Sequence, residues 1–125
     1  MDFIPPRRQL PLVDLGVLRE LEQQAGDPSV AQSFVRDFIK IWDHRYTRLA
    51  QAVELGGREA RIDAVLSVKA SSTMAGAARL AHLAAGLERL VRDGDMAAAA
   101  VLPGIRTCGD QTIEEFLACY VLPSS

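Results

Sequence analysis

The chain has 125 residues, enough for one domain built around a single core. Its 14 basic and 16 acidic side chains leave a formal charge of −2 with no basic block, which excludes the electrostatic footprint of a nucleic-acid binder. A hydrophobic fraction of 49%, with few aromatics and much Ala and Leu, favours helices over strands.

The opening MDFIPPRRQLP has no apolar run after a basic start and does not read as a secretory signal. Residues 1–11 are expected to form an extended arm, because Pro5, Pro6 and Pro11 each deny the backbone a donor. Asp14 suits an N-cap, and Leu15, Leu18 and Leu21 follow at helical spacing, predicting a short helix over 14–25 that Gly26 ends. Asp27-Pro28 restarts the chain, an acidic cap followed by proline at the first helical position. The helix predicted over 27–55 carries an apolar stripe of Val30, Phe34, Phe38, Ile41, Trp42, Leu49 and Val53.

Gly56-Gly57 breaks that helix, and a third is predicted over 58–73 with Ile62, Val65 and Val68 turned inward. It should loosen at Ser72–Met74, with Gly76 allowing a tight approach into a fourth helix over 76–93. The inner stripe there is Leu80, Leu83, Leu87 and Leu90, with Ala84 at the closest contacts. Gly94 is the expected terminator and Asp95 the next N-cap. A last helix is predicted over about 96–121, kinked or split by Pro103-Gly104, with apolar periodicity resuming at Ile113, Phe116, Leu117 and Tyr120. No segment alternates with period two. The expected fold class is all-α: an antiparallel four-helix bundle over residues 12–122 with a short N-terminal helix.

Few residues carry chemistry. Cys108 and Cys119 would stand about 16 Å apart on one helix at roughly 1.5 Å per residue, beyond disulfide reach of about 7 Å. Both read as reduced, small apolar residues of a cytoplasmic protein. The longest apolar run, Met96 to Ile105, is too short to span a membrane, so no membrane partner is expected. His44 and His82 are the two histidines, and with two cysteines and no clustered spacing neither a metal nor another cofactor is expected. Phe34, Phe38 and Trp42 at helical spacing read as core. Ser71 and Ser72 lack a local activating base, and no phosphate-cradling Gly-rich loop is present, so catalysis is not expected.

Between Ile62 and Ala77 the chain reads IDAVLSVKASSTMAGA. This stretch resembles the signature helix of histidine-containing phosphotransfer (HPt) domains, A-H-x-L-K-G-S-S-x-x-x-G-A. Lys69 falls on the signature lysine, Ser71 and Ser72 on the small residues, and Gly76-Ala77 on the glycine–alanine pair. The resemblance extends through VDLGVLRELEQQAGDPSVAQSFVRDFI, the LAQAVELGGREARIDAVL spacing, and GAARLAHLAAGLERLVRDGD with its Leu87-Glu88 pair and closing Arg92 to Asp95. The phospho-accepting histidine belongs three residues before the lysine, where this chain has Leu66. Leucine has no lone pair with which to attack a phosphoryl group. Ala70 replaces the glycine that leaves room for an approaching receiver domain.

The resemblance therefore implies a bacterial two-component phosphorelay protein of pseudo-phosphotransfer type, monomeric, whose partner is a response-regulator receiver domain or a histidine kinase. Ile62, Leu66 and Ala70 form one i, i+4, i+8 row on the flank of the inward face, with Lys69 beside it and Glu88 of the fourth helix near the same level. These five residues are the expected partner-binding surface. Against that, Leu66 can be read as core, although helix geometry favours the flank, and Lys69 reads equally as a solvated residue covering apolar surface. Two other readings stand beside it: active phosphotransfer through His82 or His44, and a helical adaptor outside two-component signalling.

Overall fold

The computed structural model describes residues 10–120, whose regular structure is entirely α-helical. Of the predicted N-terminal arm only Leu10 and Pro11 are among them, and the expected ends of the domain and last helix at 121–122 also lie outside. The five helices among the described residues are α1 (Leu15–Ala25), α2 (Pro28–Leu55), α3 (Arg58–Met74), α4 (Ala78–Arg92) and α5 (Ala98–Cys119).

Their boundaries follow from local chemistry. Asp14 accepts from the Gly16 amide and Asp27 from the Ser29 amide, both at 3.0 Å, giving otherwise unpaired first-turn donors an acceptor. The Ser29 amide bond also holds the Asp27 carboxyl below its ordinary pKa. The α3–α4 turn is tight: the Ala77 amide bonds to the Ser72 carbonyl at 2.8 Å, and Gly76 adopts φ 74°. Its carbonyl accepts from the Asp14 amide at 2.7 Å, fastening the turn to the start of α1. Before α5, Asp95 is not the N-cap predicted for that helix, since it lies two residues ahead of the observed cap, Ala97. Its side chain takes the Ala97 amide and its carbonyl the Ala98 amide, so the helix begins at Ala98.

Helix directions can be read from paired contacts. Along α2 and α5 the partners are Phe38–Phe116, Trp42–Asp110, Asp43–Arg106 and Tyr46–Leu102, so numbers rise on one helix as they fall on the other. The pairs Lys69–Glu88 and Arg58–Arg92 show the same opposition between α3 and α4, the most extensively packed pair. α2 also packs on α3, α4 on α5, and α1 on α2.

The core between them contains Phe38, Trp42, Leu49, Val65, Leu80, Leu87, Ile105 and Phe116, all buried. Phe38 stacks on Trp42 and meets Phe116 edge-on, the offset geometry that aromatic quadrupoles favour. Three expectations need correction. On α2, Val30 and Ile41 are 48% and 40% exposed, while Ala31 and Val35 face inward. Leu117 on α5 is likewise exposed. Pro103 does not split α5, which runs without interruption from Ala98 to Cys119. Proline there leaves the Ala99 carbonyl without its usual donor, but Pro103 is solvent-exposed and flanking residues carry the helix through.

Candidate functional site

The predicted surface centres on α3. Val65, Val68 and Ser72 point into the core, which turns the row Ile62, Leu66, Ala70 to the flank, as the 3.6-residue period demands. Exposure rises along that row. Ile62 is partly buried and packs on the core, Leu66 is partly buried without being part of that packing, and Ala70 is exposed.

Lys69 does not stand free beside the row. Its Nζ donates to Glu88 Oε1 at 2.8 Å, and Arg92 Nε donates to Glu88 Oε2 at 2.8 Å, so one carboxylate of α4 bridges two cations. The Glu88 side chain is 14% exposed, against 41% for Lys69 and 45% for Arg92. The hydrogen bond from Lys69, followed by that from Arg92, holds the Glu88 carboxyl below its ordinary value. The fold thus brings Lys69 and Glu88 into contact and leaves Leu66 and Ala70 on the neighbouring strip of α3. Arg92 was not among the predicted residues. The i, i+4 spacing from Glu88 was the available signal for it.

On α3, the hydroxyl groups of Ser71, Ser72 and Thr73, C-terminal to Leu66, are engaged with the helix or buried. Ser71 Oγ donates back to the Ser67 carbonyl at 2.8 Å, and Thr73 Oγ1 to the Lys69 carbonyl at 2.8 Å. Such back-bonding occupies the hydroxyl proton with the helix itself. Ser72 is fully buried and its Oγ has no hydrogen-bond partner among the described residues. His82 is exposed on α4, and His44 is exposed on α2.

His44 lines a different feature. A pocket of about 90 Å³ between α2 and α3 is bounded by Ile41, His44, Arg45, Arg48, Asp63 and Ser67. Arg45 Nε donates to Ser67 Oγ at 3.2 Å across it. Both cysteines are free, as expected, and only the exposure of Cys119 departs from the apolar reading. Cys108 is buried, whereas Cys119 is exposed with its Sγ 3.4 Å from Glu115 Oε2, and neither forms a disulfide. Burial raises the Cys108 thiol pKa, and the Glu115 carboxylate raises that of Cys119, so neither is disposed to ionise.

Among the described residues no helix is long and apolar enough to cross a membrane. Comparison with protein-family models, curated proteins and solved structures finds no match for this chain.

Proposed function

We propose that the chain is a degenerate phosphotransfer domain, an antiparallel four-helix bundle of α2–α5 with α1 in front, that binds a receiver domain or a histidine kinase without carrying phosphate. The observation that carries this reading is the surface of α3. At residue 66, where the resemblance demands a histidine, stands a partly buried leucine outside the packed core, with Lys69 one turn on. The circuit of helix contacts, α2 with α3, α3 with α4, α4 with α5 and α5 with α2, supports the bundle architecture. Such a domain would act by occupancy: it would fill a receiver's docking face, or a kinase's, and keep an active phosphotransfer protein from it.

The test is titration against receiver domains and kinases of the source organism, with wild type beside Leu66→Glu and Lys69→Glu. Interfaces concentrate energy in a few central residues, so Leu66→Glu should weaken binding by roughly 30-fold, about 2 kcal/mol. Lys69→Glu should weaken it in a salt-dependent manner, since an exposed charge acts through screened attraction. Thermal unfolding of both variants separates lost binding from lost structure. Unchanged affinity in a folded Leu66→Glu protein sinks the surface, and unfolding by that substitution makes Leu66 a core residue. Incubation with a phosphorylated receiver should leave no acid-labile phosphate on the wild type. Label on His82 or His44 would turn the reading toward active transfer.

A further inference from the structure

The α2–α3 pocket gathers two arginine side chains of α2, Arg45 and Arg48, in its lining. Lys69, Arg92 and Arg106 each reach a carboxylate at 2.8 Å. Arg45 and Arg48, one turn apart on α2, form no ion pair among the described residues although both line the same concavity. Asp63 borders the pocket without pairing with either of them. Arg45 spends only Nε, on Ser67 Oγ, so its two terminal nitrogens have no acceptor among the described residues. Ser67 Oγ accepts that bond and keeps its own proton free to donate. Two like charges facing one cavity repel, and desolvation, followed by the charge of Arg48, lowers the Arg45 pKa. An anion placed between them would relieve both effects.

We propose that this pocket binds a phosphate group, as inorganic phosphate or as a phosphate monoester, held by the Arg45 and Arg48 guanidiniums with the Ser67 hydroxyl as a third donor. Planar guanidinium groups present paired donors that match tetrahedral oxyanions. The volume of about 90 Å³ takes several waters or one such anion, and Ala64 at its floor closes it on the core side. His44 at the rim adds a further possible donor, while Asp63 is the resident opposing charge that limits affinity. The site is independent of the proposed partner surface: Ser67 faces α2, whereas Lys69 faces α4.

The experiment is a titration of the intact chain with inorganic phosphate at constant ionic strength. It is followed by ¹H–¹⁵N spectra that include the arginine Nε–H signals, with O-phosphoserine as a parallel arm. Saturable shifts are expected at Arg45 Nε and the Ser67 amide, with Kd of the order of 1 mM. Arg48→Gln should weaken binding about tenfold by removing one charged donor set, and Asp63→Asn should tighten it. Both residues are exposed, and unchanged helical circular dichroism would confirm folding. Binding of inorganic phosphate alone assigns the free ion, and equal or tighter binding of phosphoserine assigns a monoester. Absence of saturable shifts, an unchanged affinity in Arg48→Gln, or no gain from Asp63→Asn would overturn the proposal.

Discussion

Gly109 lies against the only tryptophan so closely that a Cβ at this position would stand 1.9 Å from Trp42 Cζ2. The contact also sets up Trp42 Nε1 to donate to Asp110 Oδ1 at 3.0 Å, which satisfies an indole N–H at the edge of the core. Gly109→Ala must therefore displace the ring, and overpacking of this kind costs about 1–3 kcal/mol. Chemical denaturation should give that loss, and the fluorescence of Trp42 should shift with it. Unchanged stability and an unchanged spectrum would show that the helices simply move apart. Trp42 was legible as core from its spacing, but Gly109 was not, because a lone glycine within a helical pattern signals only poor propensity. The same limit hid Arg45 and Arg48: an unpaired charge becomes visible only when the neighbouring helix is placed.

Helix limits were legible at the capping side chains of Asp14 and Asp27, at Pro28, and at Gly94, whose positive φ and amide bond to the Val91 carbonyl close α4. The inner face of α2 was misread by one position at two points: Ala31, Val35, Phe38 and Trp42 share the buried face, and Val30 and Ile41 each precede it by one residue, about 100° round the helix. Two element-scale predictions follow from specific contacts. Pro103→Ala restores the missing bond to the Ala99 carbonyl within α5 and should stabilise the protein by about 1–3 kcal/mol. That gain is reduced slightly by the more flexible unfolded chain. An unchanged denaturation midpoint would mean that α5 accommodates proline without cost. The α3–α4 pair is tied by Glu88, whose folded pKa lies below the ordinary 4.5. A depressed carboxylate contributes stability above its unfolded pKa and loses it as pH falls through the folded value. Stability should therefore fall on acidification below about pH 4.5, and Glu88→Gln should flatten that part of the curve. A wild-type slope retained in Glu88→Gln would assign the acid sensitivity to other carboxylates.

At the scale of the molecule, the helical class and the order of the five helices were legible, but the fastening of α1 to the rest was not, because it depends on backbone groups. Gly76 is the pivot: its φ of 74° and its approach to Asp14, where a Cβ would meet the carbonyl oxygen at 2.7 Å, leave no room for a side chain. On the same side of the molecule, Arg79 donates to the carbonyls of Leu10 and Pro11, at 2.8 Å from Nε and 3.1 Å from its amide. At the far end of α5, Tyr120 donates to Glu22 of α1, and burial, followed by that bond, raises the tyrosine pKa. With Leu18 fully buried, α1 is joined to α2, to the α3–α4 turn and to α5. The short leading helix should therefore unfold with the remainder as one cooperative unit. Leu18→Ala tests this, because it opens a cavity and should cost about 2–5 kcal/mol. If the unit is single, circular dichroism and Trp42 fluorescence will report one coincident transition at lower denaturant, although Trp42 lies on α2. A fluorescence midpoint unchanged from wild type, with only a small early loss of helix signal, would make α1 an appendage that frays alone.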